Sequence, residues 1–227
     1  MDIRKNFREG LRDIQDEVLV MGNMVEKATL RSVEALKNRD LALAQQVCND
    51  DITVNEKRFE IEERCIQLIA TQQPMASDLR MLISVLSVIT DLERIGDHAE
   101  GIAKIAVMLC DEPPVKPYVD IPRMAEKTAD MLHRSLDAFF KRDADAAVQI
   151  AAEDDVVDEL YDQLFRELIS YMMEDPKTIT RATRLVWVAH NLERSADRIT
   201  NICERVIFLV TGRMEELGTS KYQKCYR

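Results

Sequence analysis

The chain repeats itself. Residues 91–102 read DLERIGDHAEGI and residues 191–202 read NLERSADRITNI, an offset of 100 with Leu92/Leu192, Glu93/Glu193, Arg94/Arg194, Asp97/Asp197 and Ile102/Ile202 identical. A second correspondence lies upstream, where Asp51 and Asn55 match Asp154 and Asp158 at an offset of 103, and Val54-Asn55-Glu56 faces Val157-Asp158-Glu159. Polar positions that recur at this spacing restrict the chain to two similar halves.

Helical periodicity fills in those halves. Phe7, Leu11, Ile14, Val18, Met21, Val25, Ala28, Ser32 and Ala35 alternate steps of four and three, widened by Val33 and Leu36. That seam predicts a first helix of about 30 residues, near 45 Å long. Asn38-Arg39-Asp40 breaks it, with Asp40 placed to cap a second helix from Leu41 to about Thr71. The second helix's expected stripe is Ala44, Cys48, Ile52, Phe59, Ile66 and Ile69. Gln72-Gln73-Pro74 ends it, and Ser77 is the expected N-cap of a third helix from Asp78 to about Cys110, with apolar Leu79, Leu82, Ile83, Leu86 and Ile89.

Four of the chain's 6 prolines, Pro113, Pro114, Pro117 and Pro122, then fall close together, a density no helix survives. This is the expected linker. Beyond it the plan recurs, with helices from about Arg123 to Lys141, Ala144 to Glu174 and Thr178 to Thr211, the last closed by Gly212. The expected fold is all-α, a tandem repeat of two three-helix bundles with six long helices. The expected boundaries are 1–111, 119–213 and a C-terminal tail, 214–227. With 6 Gly and 6 Pro, the chain has too little punctuation for many short strands.

A net charge of -10 disfavours nucleic acid and anionic lipid as partners. The uncharged run Met81 to Thr90 is half of the roughly 20 residues a membrane span needs. Met1 to Gly10 is charged throughout and lacks a signal peptide's apolar core. Cys48, Cys65, Cys110, Cys203 and Cys225 are odd in number and scattered, as expected of reduced thiols. A cytoplasmic location without membrane insertion is the expectation.

The chemistry lies in misplaced carboxylates. Continuing the stripe Leu82, Leu86, Ile89 by fours reaches Glu93 and Asp97, and Leu185, Ala189 lead likewise to Glu193 and Asp197. Asp51 and Asn55 interrupt the second helix's stripe, while Asp154 and Asp158 continue Ala147 and Ala151 toward Phe165. Unpaired buried carboxylates are costly and repel one another, so something must compensate. One reading is a multivalent cation held by oxygen ligands from two helices. Its ligands would be Asp51, Asn55, Glu93 and Asp97 in one half and Asp154, Asp158, Glu193 and Asp197 in the other. The second set carries one more negative charge, which predicts firmer retention of metal. The other reading is interhelical ion pairing with Arg58, Arg80, Arg184 or Lys104, or a solvated groove. His98, His133 and His190 read as packing or surface residues.

At these residues the sequence resembles the PhoU family over nearly its whole length. Leu92-Glu93-Arg94-Ile95-Gly96-Asp97 and Leu192-Glu193-Arg194-Ser195-Ala196-Asp197 are similar to the family's E(D)xxxD motif. Gln73-Pro74-Met75-Ala76-Ser77-Asp78-Leu79-Arg80 resembles its turn into the third helix, and Val210-Thr211-Gly212 also fits. The resemblance implies two three-helix bundles side by side. It implies a negative regulator of the phosphate-starvation response, an adaptor between the high-affinity phosphate ABC transporter ATPase and a sensor histidine kinase. It also implies a multinuclear metal site, iron first, with zinc, manganese or magnesium as alternatives. Two departures stand out: Arg198 follows Asp197 where His is frequent, and Ala196 is the counterpart of Gly96.

No catalysis is expected. A di-iron enzyme needs Glu-x-x-His pairs, and the nearest approach is Asp130-x-x-His133. No Gly-rich phosphate loop is present. The alternatives are an accessory subunit of a low-affinity phosphate permease and a metal-free helical scaffold. A homodimer is expected, on the ground that the Phe7 to Leu36 seam exceeds what one bundle buries.

Overall fold

The computed structural model describes residues 3–217; the tail from Ser220 to Arg227, with Cys225, lies outside the described residues. Its helices are α1 (Ile3–Asn38), α2 (Leu41–Gln72), α3 (Ser77–Leu109), α4 (Asp120–Lys141), α5 (Ala144–Ala151), α6 (Asp154–Glu174) and α7 (Ile179–Thr211), with one turn of 3-10 helix at Pro176–Thr178. No strand occurs among the described residues. α1, α2 and α3 pack on one another, and α7 packs on α4, α5 and α6. Two contacts join these groups, α3 against α7 and α1 against α4.

The repeat extends to single hydrogen bonds. Arg39 and Arg142 both end a helix in the left-handed region, at φ 54° and 56°. The next residue donates back in both cases, Asp40 N to Ala35 O and Asp143 N to Ala138 O, each 2.9 Å. Both aspartates then cap the following helix, Asp40 Oδ1 accepting from Leu43 N at 2.9 Å and Asp143 Oδ1 from Ala146 N at 3.0 Å. Ser32 and Ser135 each donate to a carbonyl one turn back, at 2.8 Å. Arg31 pairs with Asp50 at 3.0 Å, and its counterpart Arg134 pairs with Glu153. All of these matches share the offset of 103.

α3 and α7 run antiparallel. Asn201 Nδ2 donates to Asp91 Oδ1 at 3.3 Å, His98 Nδ1 lies 3.2 Å from Ser195 Oγ, and a Cβ on Gly101 would meet Asn191 at 3.4 Å. One partner's number falls as the other's rises. Near each helix's N-terminus an arginine lies beside the other's C-terminal end, where the helix dipole is negative. Arg184 Nη1 donates to Met108 O at 3.1 Å, Arg181 Nη1 donates to Pro113 O at 2.7 Å, and Arg80 lies against Gly212. On the other contact, a Cβ on Gly22 would overlap Leu136 Cδ1, so α1 approaches α4 where α1 has no side chain.

Several sequence expectations change. The α2 stripe is rotated: Ala44, Val47, Val54, Ile61 and Cys65 are buried, whereas Ile52, Phe59 and Ile66 are 62%, 59% and 55% exposed. The largest apolar side chains of α2 lie outside its core, because two faces of this helix are apolar and the one with smaller residues packs. Leu79 and Ile83 are likewise exposed on α3. Ser77 is helical rather than capping; the N-cap is Ala76, at φ 49°, without a side-chain bond. α4 begins at Asp120, so Pro122 lies in a first turn, where proline is tolerated. The fifth predicted helix is broken at Ala152–Glu153, where Glu153 turns toward Arg134 and Lys127 of α4. The α1 seam is buried inside the chain, Phe7 and Leu36 being 8% and 2% exposed, so it is not a surface for a second copy.

Candidate functional site

Each half holds an acidic groove where its second helix meets its third. In the first half, Asp51 lies on the buried stripe of α2 between Val47 and Val54 and is half-buried. It faces α3 at Gly96, where a Cβ would sit 3.2 Å from Asp51 Oδ1. Glu93 and Asp97 flank that glycine. Asn55 Nδ2 donates to Asp51 Oδ2 at 2.9 Å. Arg94 lies 3.5 Å from Glu93 Oε2 and 3.2 Å from Asp97 Oδ2. Burial pushes the Asp51 carboxyl up to about 6, with Glu100, Asp97 and Glu93 adding to the rise and Asn55 opposing it. Glu100 was missed in the sequence. It extends the Glu93–Asp97 face by three residues and pairs with Lys104 at 2.6 Å.

The second groove is less well compensated. Asp154 opens α6, and its Oδ1 is buried without a hydrogen bond among the described residues. Burial, then Asp158, Asp197, Glu193 and Asp155, push its carboxyl up to about 7. Glu193 is also pushed to about 7, by burial and then by Asp197 and Asp158, with Arg194 opposing. Burial raises Asp197 too, against Arg194, Arg198 and His190. His190 Nδ1 lies 3.3 Å from Glu193 Oε2, yet that oxygen has no hydrogen bond. Burial lowers the His190 pKa, so the ring is neutral near pH 7 and this approach is not an ion pair. Tyr161 stacks on Phe165 and, with Trp187, surrounds His190.

All eight sequence candidates therefore fall in these two grooves, four in each. Among the described residues, no three His, Cys, Asp or Glu side chains are arranged to hold a metal ion. The donor chemistry of the second groove nonetheless suits a hard cation, because buried carboxylate oxygens lacking donors are what such an ion satisfies. Arg58 is engaged elsewhere, with Glu62 and over the Phe59 ring, as is Arg184 with Glu112, whereas Lys104 pairs with Glu100 at the edge of the first groove. His98 bridges the halves and is held down to about 4 by burial and nearby arginines, while His133 approaches Glu26 at 3.4 Å.

The description of the PhoU domain matches residues 18–106 and again 121–206. The chain belongs to the PhoU family. It is 41% identical over 211 residues to the phosphate-specific transport system accessory protein PhoU homolog of Pseudomonas aeruginosa, covering 92% of this chain and 87% of that one. The crystal structure of PhoU from Pseudomonas aeruginosa superposes with a TM-score of 0.87 at 41% identity, covering 91% of this chain and all of that one. The phosphate transport system regulatory protein PhoU from Streptococcus pneumoniae gives 0.86 at 34% identity, covering 93% of this chain. Of the two departures from the PhoU motif, Arg198 reaches across to Asp91 at 3.5 Å, and Ala196 is buried. No helix among the described residues is long and apolar enough to cross a membrane.

Proposed function

We propose that this protein is a cytoplasmic negative regulator of the phosphate-starvation response. It acts as an adaptor between the ATPase of a high-affinity phosphate ABC transporter and a sensor histidine kinase. Similarity to phosphate transport accessory and regulatory proteins supports the first half of that reading. The observation that carries an adaptor role is the exposed stripe on α2. Ile52, Phe59 and Ile66 recur at seven-residue spacing and each shows more than half its surface. Apolar side chains in such a row mark a surface for another protein, in the manner of a helical seam.

The test is capture of the transporter ATPase and the kinase by the purified chain. Phe59→Glu should weaken capture at least tenfold without altering the circular dichroism spectrum. Failure of the parent to capture either protein would overturn the adaptor reading. Light scattering on the same pair measures whether the stripe instead supports a homodimer.

The second part of the proposal is a hard or transition metal, iron first and zinc, manganese or magnesium next, held by the grooves. Asp154, Asp158, Glu193 and Asp197 would hold it in the second half, Asp51, Asn55, Glu93 and Asp97 in the first. A bound cation would satisfy the Asp154 and Glu193 oxygens that, among the described residues, are buried without a hydrogen bond in the second set. In the first set Asn55 and Arg94 already contact Asp51 and Asp97 directly, so the second is expected to retain metal better. Metal content of protein purified without chelator should fall more for Asp197→Asn than for Asp97→Asn. Chelation should lower the melting temperature, since metal that binds only the folded state stabilises it. Unchanged metal content in both variants would favour a metal-free role.

A further inference from the structure

A cavity of about 250 Å³ opens between α1 and α2, on the α1 side of the helix that carries Asp51. Its apolar wall is Met24, Ala28, Val47 and Val54. Lys27 and the Arg31–Asp50 pair stand at its rim. Asp50 already answers Arg31, at 3.0 Å. Among the described residues no carboxylate pairs with Lys27, which is exposed and lies one helical turn from Arg31.

The internal repeat provides a control within the same molecule. At the offset of 103, Ala28 corresponds to Met131, which is wholly buried, and Met24 to Lys127, which is bonded to Glu153. Lys27 corresponds to Asp130, which pairs with Arg134 at 2.7 Å. Where the second half places a bulky side chain and a neutralised rim, the first half places a small residue and an uncompensated cation. Both changes act in the same direction, opening space and leaving positive charge beside it.

We propose that this cavity binds a compact organic anion with an apolar body, an aromatic or branched aliphatic carboxylate. The apolar body enters between Ala28 and Val47, and the carboxylate meets the Lys27 ammonium at the rim. The volume lies just below the roughly 300–1,000 Å³ of drug-sized sites, which fits a single ring and excludes a nucleotide. The proposal uses neither the adaptor stripe nor the metal-binding carboxylates.

The probe is para-trifluoromethylbenzoate, followed by fluorine NMR line broadening on the full chain, with para-trifluoromethylbenzylamine as the oppositely charged analogue. The benzoate should broaden and the amine should not. Ala28→Met, the residue tolerated at the equivalent position, should abolish the broadening while the circular dichroism spectrum is unchanged. Lys27→Gln should weaken binding about tenfold, the order expected for one charge-assisted hydrogen bond. Absence of benzoate binding, or binding that persists in folded Ala28→Met, would overturn the site. Equal binding of the amine would overturn the anion assignment and point to Asp50.

Discussion

Asp154 and Glu193 titrate near neutrality because burial and each other's neighbours oppose their charge. Their ordinary values are 3.8 and 4.5, so both are raised on folding. A carboxyl raised in this way favours the folded state while it is protonated. That contribution is complete below about pH 4 and is lost as the pH rises to about 7. Metal-free protein should therefore lose stability across that window. Asp154→Asn should remove part of the loss, raising stability by about 1–2 kcal/mol at pH 8 after allowing for partial solvent screening, with little effect at pH 4. Melting curves in chelator at the two pH values check this; a variant less stable at pH 8 would show that the carboxylate has a partner. These residues were legible in the sequence because acids interrupted an apolar period. Glu100 continues the same face one turn on and was open to the same reading, while its closeness to Asp51 is set by tertiary structure. The compensation by Asn55 and Arg94 is local, at i,i+4 from Asp51 and i,i+3 from Asp97, and so was open to a reading by helical spacing.

The helical elements show where periodicity is decisive and where it is not. α1 was readable because its regular seam from Phe7 through Leu36 is the stripe that packs, while Leu19, Val20 and Leu30 stay exposed. α2 was misread because Ile52, Phe59 and Ile66 form a second, larger apolar row, and size does not determine which row faces inward. The break between α5 and α6 was invisible because no proline or glycine marks Ala152-Glu153, and the corresponding Arg31–Asp50 pair leaves α2 unbroken. At the break Glu153 bonds Arg134 and Lys127, and Arg134 first, then Lys127, holds its carboxyl down to about 2 against an ordinary 4.5. A lowered carboxyl stabilises the fold above its unfolded value and loses that contribution as the pH falls from about 4.5 to 2. Glu153→Gln should cost about 1 kcal/mol at pH 7, since the group is partly screened by solvent, and almost nothing at pH 2. Denaturant unfolding at the two pH values measures it; an equal cost at both would assign the effect to packing. The α1–α4 crossing makes a separate prediction. Gly22→Ala gains helix propensity but drives a methyl into Leu136, so a net loss of about 1–2 kcal/mol is expected. Leu136→Val should recover part of it in a double-mutant cycle, and additive losses would show that the two sites do not touch.

At the scale of the molecule, the duplicated halves are joined by the same surfaces that complete each half. α3 and α7 are the third helices of their own bundles and also each other's neighbours, linked by Asn201 to Asp91 and His98 to Ser195. Leu92, Ile95, Leu192 and Ile199 are fully buried at this level of the two helices. Separating the halves would expose that apolar surface and the buried Asp91 together, a cost neither bundle recovers alone. Unfolding should therefore be one cooperative transition rather than two. The sequence supplies a reporter, because Trp187 is the only tryptophan and lies on α7, in the second half. Its fluorescence follows that half, while far-ultraviolet circular dichroism follows all the helices. The two urea transitions should coincide within error. Asn201→Ala, which removes a bond across the interface, should shift both midpoints equally downward. A Trp187 transition displaced from the helical one would show that the bundles unfold independently and that the α3–α7 contact is an association of two stable units.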